Sequence, residues 1–170
     1  FDLFIKEVAR EITTKAGQKC TAIRRILVPE NRIEDVQIAL GKRLLSTTIG
    51  DPAIDGVRMG PLAGISQRND VMEKVLELKK TQSIIIGDLE QFSVTGADKE
   101  KGAFMSPIVF YNDQPFTNTA CHNIEAFGPV STLIPYKTTD DAIELVNMGK
   151  GSLVCSMTTA DPKEAREFTL

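Results

Sequence analysis

Residues 1–29, FDLFIKEVAREITTKAGQKCTAIRRILVP, carry the reading that decides the fold. Phe1, Phe4, Ile5, Val8 and Ile12 recur at helical spacing, which predicts an amphipathic helix. Gly17 can end that helix in the left-handed conformation that other residues avoid. Thr21 to Val28 then reads as a strand closed by Pro29. A helix handed through a short glycine-bearing loop into a buried strand is the unit from which α/β sheets are built.

The same alternation continues outward. Ile33, Val36, Leu40 and Leu44 predict a second helix, stopped before the Gly50-Asp51-Pro52 turn. A loop follows through Met59-Gly-Pro-Leu62. Val71, Val75 and Leu78 mark a third helix, with Ile84 to Ile86 as a strand behind it. Residues 88–102 are polar and irregular, with a short strand expected at Phe92 to Thr95. Pro107 to Tyr111 and Val130 to Tyr136 read as extended. Thr138-Thr-Asp-Asp141 opens a helix with a capping-box pattern. Leu153 to Thr158 is expected as a further strand, with Cys155 in the core. Asp161-Pro162-Lys163-Glu164 starts a last helix with Asp at the cap and Pro at its first position. Strands separated by helices predict an α/β domain with a largely parallel sheet and flanking helices.

Composition narrows the function classes. The 170 residues are 42% hydrophobic and 25% charged with a net charge of −3, ordinary values for one globular domain. No basic block or basic-aromatic interleaving appears, which argues against a nucleic-acid binder. The longest apolar runs, such as Ser83-Ile-Ile-Ile-Gly87, are too short for a membrane span, and no secretory signal opens the chain. Three cysteines (Cys20, Cys121, Cys155) at irregular spacing, with the single histidine His122, form neither a disulfide framework nor a zinc pattern. No metal site is expected, and a cytoplasmic location fits best.

Two short stretches carry chemistry. Gly17-Gln-Lys-Cys20-Thr21 places a cysteine in a loop between helix and strand. A nucleophilic thiol needs exposure there, and Lys19, Arg24 and Arg25 are cations that would favour its thiolate. Glu125-Ala-Phe-Gly-Pro-Val130 places a carboxylate before a Gly-Pro turn, where it can accept hydrogen bonds from two ribose hydroxyls. A solvated Glu beside a buried Phe is the plainer reading. Cys121-His122 suggests a dyad, but adjacent residues of an extended segment point apart. Arg24 and Arg25 could meet an anionic substrate such as a CoA phosphate, although ordinary solvated strand-edge cations are the plainer reading. Gly41-Lys42-Arg43 lacks the spacing of a phosphate loop.

Taken together, these stretches resemble the aldehyde dehydrogenase superfamily. Ala16-Gly-Gln-Lys-Cys-Thr21 is similar to its Gly-Gln-x-Cys signature, and Glu125 to Val130 is similar to its Glu-x-Phe-Gly-Pro-Val motif, 105 residues after the cysteine. Met59-Gly-Pro-Leu62 and Phe104-Met-Ser-Pro-Ile-Val-Phe110 match further landmarks in the same order, so the resemblance runs nearly end to end. It implies the catalytic-domain fold of that family, with Cys20 as the nucleophile that attacks an aldehyde carbonyl. It also implies that the Cys20 backbone N–H serves an oxyanion hole, Glu125 holds the nicotinamide ribose and Phe127 packs near the nicotinamide. Ala16 to Arg25 and Ile124 to Thr132 look most like members that oxidise a CoA-linked semialdehyde in phenylacetate degradation, with NADP, or NAD, as cofactor. Homo-oligomers are usual in the family.

The family's Rossmann-like cofactor domain has no counterpart here, since Gly56, Gly60 and Gly64 lack the fingerprint spacing. Its general-base Glu and oxyanion Asn also precede the cysteine, and Glu7 and Glu11 lie too near Cys20 to be that base. Residues 1–170 are therefore expected to be a cysteine-bearing catalytic-domain fragment that neither binds the dinucleotide tightly nor turns over aldehyde by itself. Two other functions stay open: an acylating enzyme that passes the thioester to CoA, and a non-catalytic α/β interaction module.

Overall fold

The computed structural model describes residues 1–169. Its sheet has four strands in the order β1-β4-β3-β2: β1 (Arg25–Pro29), β2 (Ser83–Ile86), β3 (Ile108–Tyr111) and β4 (Val130–Tyr136). β4 runs parallel to both β1 and β3, and only β2 is antiparallel. The expected largely parallel α/β sheet is present.

Helices cover both faces. On one side α1 (Asp2–Thr13) and α2 (Ile33–Leu45) bring Ile5, Val8, Ile12, Val36, Leu40 and Leu44 onto Ile26, Val28, Val109 and Leu133. On the other, α3 (Ile65–Leu78) packs Val71, Val75 and Leu78 onto Ile108, Phe110 and Val130. Beside it, Cys121 of α4 (Ala120–Asn123) and Leu145 of α5 (Thr139–Asn147) close over Ile134. Strand residues thus alternate between the two layers. Ile108, Val109 and Phe110 are each 0% exposed, which explains why a parallel strand buried on both sides reads as an unbroken apolar run.

Local chemistry sets the helix ends. Thr138 accepts from Asp141 N while the Asp141 carboxylate accepts from Thr138 N, the capping box expected for α5. Asp161 accepts from Lys163 N ahead of α6 (Pro162–Thr169). α1 stops at Thr13, four residues before Gly17, where the Thr13 and Thr14 hydroxyls donate back to the carbonyls of Ala9 and Arg10.

Three expectations are corrected. Phe92 to Thr95 forms no strand; only Thr95 bridges to Gly50. β1 begins at Arg25, because residues 19–22 turn back on themselves with Ala22 N donating to Lys19 O. Leu153 to Thr158 is not a strand either. It pairs with neither edge of the sheet, so its backbone lacks the partner that extended structure requires, and Leu153, Val154 and Cys155 are exposed rather than core.

Candidate active site

Both motif loops lead directly into neighbouring parallel strands, the Cys20 loop into β1 and the Glu125 loop into β4, which pair from Arg25 and Thr132 onward. They therefore meet at the amino ends of those strands. Ligands in open α/β sheets usually sit at the opposite, carboxyl ends.

The cysteine loop is held under strain. After α1, Lys15 (φ 54°), Ala16 (φ 50°) and Gly17 (φ 69°) are all left-handed. For the two non-glycine residues this costs roughly 1–2 kcal/mol each. Contacts with the surroundings offset it. Ala16 is buried in the core beneath α3. The Gln18 side-chain oxygen accepts from Ala63 N at 2.7 Å, tying the loop to the end of the Met59–Leu62 landmark. Lys19 Nζ donates to Glu11 Oε2 at 2.7 Å, so this cation is directed at α1 and not at Cys20. Cys20 itself is exposed, and among the described residues no backbone carbonyl accepts from its N–H.

The Glu125 loop is equally tight. Gly128 N donates to Ala126 O and Val130 N to Gly128 O, each at 2.8 Å, which turns the chain sharply around Phe127. Ala126 is buried, Phe127 is 36% exposed and the Glu125 side chain is 64% exposed. The carboxylate is thus open to solvent, and its phenylalanine neighbour is not core.

The loops touch at two glycines and one arginine. A Cβ on Gly17 would lie 2.1 Å from Gly128 O and 2.8 Å from Pro129 N, so only glycine permits this approach. Arg24 donates from Nη2 to Gly17 O at 2.8 Å and from Nη1 to Gly128 O at 2.7 Å. Its Nε lies 3.8 Å from Glu125 Oε1, an ion pair longer than a hydrogen bond, and its guanidinium sits 5.3 Å from the Phe127 ring centre. Burial pushes the Arg24 pKa down and Glu125 pushes it back up, while an arginine remains charged throughout.

Arg25 points into the other layer. It donates to the carbonyls of Leu145 and Val146 at the end of α5, to Ser152 Oγ, and to His122 Nδ1 at 3.1 Å. Because Nδ1 accepts, Nε2 carries the proton and donates to Pro115 O at 2.9 Å. Burial, with the Arg25 charge, pushes the His122 pKa down. Cys121 and His122 lie on a helical turn, not an extended segment. The Cys121 thiol is buried beside Asn112 Nδ2 at 3.2 Å, its pKa pushed up by burial.

Neither arginine is a solvated strand-edge cation: both donate to backbone carbonyls of the protein. Strand alternation does not reveal this, because their partners lie about a hundred residues away in sequence. Two consecutive arginines entering a buried strand are the one signal that could have. Among the described residues no cluster of His, Cys, Asp or Glu could hold a metal, and no helix is long and apolar enough to cross a membrane.

Residues 1–170 match the profile of the aldehyde dehydrogenase family. The 3,4-dehydroadipyl-CoA semialdehyde dehydrogenase of Aromatoleum evansii is 38% identical over 161 residues, covering 95% of this chain and 31% of that protein. Protein MaoC of Klebsiella aerogenes is 40% identical over 113 residues, covering 66% of this chain and 32% of that protein. Betaine aldehyde dehydrogenase of Staphylococcus aureus, solved with NAD+, superposes at a TM-score of 0.85 and 25% identity, covering 99% of this chain and 33% of that one. Aldehyde dehydrogenase C of Pseudomonas syringae, solved with NAD+ and octanal, superposes at 0.70 and 27% identity, over 85% of this chain and 30% of that one. The chain spans about a third of the length of the curated relatives it matches.

Proposed function

The chain belongs to the aldehyde dehydrogenase family, and on that premise we propose that it supplies the nucleophile and one wall of the cofactor site to an NAD(P)-dependent aldehyde dehydrogenase. The observation that carries this reading is the packing of the Cys20 loop on the Glu125–Phe127 loop through Gly17, Gly128 and Arg24. It brings an exposed thiol, an open carboxylate and a half-open aromatic ring to one end of the sheet.

These groups suit a nicotinamide dinucleotide. The Glu125 carboxylate can accept from both hydroxyls of a ribose, and the exposed Phe127 ring offers an apolar surface to a flat heterocycle. When bound, the dinucleotide supplies the hydride acceptor. The Cys20 thiolate adds to the aldehyde carbonyl, forming the C–S bond of a thiohemiacetal whose oxyanion the Cys20 N–H is free to meet. Such a preorganised donor contributes ~3–4 kcal/mol to barrier reduction. Loss of hydride leaves a thioester on Cys20, and water then releases the acid and restores the thiolate. Glu11 is held by Lys19 and Arg10, so we assign activation of that water to a residue outside these 170.

For the substrate we favour a CoA-linked semialdehyde of phenylacetate degradation, as used by the dehydrogenase half of a bifunctional protein of that pathway. Support comes from the residues around Cys20 and Glu125 and from the activity that the Aromatoleum relative is named for. NADP and NAD are both kept as cofactor, and a cytoplasmic homo-oligomer is part of the same reading. Transfer of the acyl group to CoA instead of water is the alternative chemistry. Assaying the full-length protein with a CoA-linked semialdehyde, simple aldehydes and both dinucleotides tests all of this. Free acid with the CoA-linked substrate preferred is the expected product, acyl transfer to CoA would favour the alternative, and no dinucleotide reduction with any aldehyde would discard the proposal.

A further inference from the structure

Arg24 touches both loops of the candidate site. Its two terminal nitrogens are committed to Gly17 O and Gly128 O, joining backbone segments 111 residues apart in sequence. Its side chain is 19% exposed, and its Nε–H is buried with no hydrogen-bond partner. Buried donors of this kind are nearly always paired. The group facing it is Glu125 Oε1 at 3.8 Å, so a side-chain movement of about 0.8 Å would make a charge-assisted hydrogen bond. Glu125 is mostly exposed and free to make that movement. Its second carboxylate oxygen would remain open to a ribose.

Resting on the reading of Glu125 as the ribose ligand, we infer that Arg24 is a positioning residue for cofactor binding: it fixes the Glu125 carboxylate through Nε while its terminal nitrogens lock the nucleophile loop to the cofactor loop. Occupancy of the dinucleotide site is thereby communicated to Cys20 through Gly17. A lysine offers one point charge and cannot serve two carbonyls and a carboxylate in a fixed plane.

The test uses the full-length enzyme with Arg24→Gln, Arg24→Lys, Glu125→Gln and the double variant Arg24→Gln/Glu125→Gln. Dissociation constants for NAD+ and NADP+ are read by titration. The rate of Cys20 alkylation by iodoacetamide is read with and without saturating dinucleotide. Arg24→Gln should weaken dinucleotide binding about tenfold, the size of a coupling within one ion-pair network. It should abolish the dinucleotide's effect on Cys20 alkylation and raise the KM for dinucleotide far more than that for aldehyde. Arg24→Lys should restore little. With Glu125→Gln already present, the Arg24 change should add almost nothing to the loss of binding. Independent, multiplying losses in the double variant, or a native alkylation response in Arg24→Gln, would overturn the inference while leaving the proposed function standing. A native protein that binds neither dinucleotide would remove that function, and the inference with it. If Arg24→Gln fails to fold, the milder Arg24→Lys still decides the matter: native affinity together with a native alkylation response would refute it.

Discussion

Replacing Gly17 with alanine would put a methyl group 2.1 Å from Gly128 O, about 1.3 Å inside the 3.4 Å at which ordinary contact begins. The obstacle is backbone, so no side-chain rotation relieves it. The new residue would also have to hold φ +69°, which costs an alanine roughly 1 kcal/mol more than a glycine. Moving the loops apart would lengthen the Arg24 bonds to Gly17 O and Gly128 O, and net losses of about 1.5–3 kcal/mol accompany each hydrogen bond to a charged group. Even with one of the two retained, the sum is about 2.5–4 kcal/mol, in the upper range for single substitutions. Gly56→Ala is the internal control. That residue has φ +88° with nothing within 4 Å of the added Cβ, so it incurs the conformational cost alone. Thermal unfolding of the three proteins side by side should show Gly17→Ala lowest, by a margin on the order of 10 °C from native, and Gly56→Ala close to native. Because the displaced loop carries Cys20, kcat/KM for aldehyde should fall by about a hundredfold in Gly17→Ala only. Equal behaviour of the two variants would refute the argument that the two motif loops are locked by this contact.

Other expectations follow from single groups. Thr138→Ala removes the capping box of α5 and should cost about 1 kcal/mol in unfolding free energy, with Thr138→Ser restoring it. His122 has its pKa lowered by the fold from the ordinary 6.5, so its contribution to stability is complete above about 6.5 and lost as pH falls through the lowered folded value, where the unfolded chain binds a proton that the folded one refuses. Unfolding midpoints between pH 7.5 and 5 should therefore fall more steeply for the native protein than for His122→Gln, whose amide can still bridge Arg25 and Pro115. Brief alkylation followed by peptide mapping should label Cys20 and spare Cys121 until the protein is unfolded, since Cys121 is buried and burial pushes its thiol pKa up.

Legibility from sequence followed the range of the interactions involved. α5 was readable because its cap is made between residues 138 and 141. β3 was readable because burial on both faces leaves an apolar run. The loops around Cys20 and Glu125 were visible as motifs. Their junction was not, because it depends on Arg24 reaching Gly128, 104 residues away. The run Leu153 to Thr158 misled for the converse reason: its composition is that of a strand, but a strand also needs an edge to pair with, and sequence does not supply one. Helical periodicity likewise gave α1 its apolar face and not its end, which Thr13 and Thr14 set through their own hydroxyls.

On the proposed mechanism Cys20 carries the acyl group. The direct measurement mixes the full-length protein with aldehyde and oxidised dinucleotide, quenches within a turnover in acid, and maps the adduct by peptide mass. An acyl group on the peptide bearing Cys20, absent in Cys20→Ser together with dinucleotide reduction, is the result predicted. Turnover with the acyl group on Cys121 or Cys155, or undiminished turnover in Cys20→Ser, would contradict it.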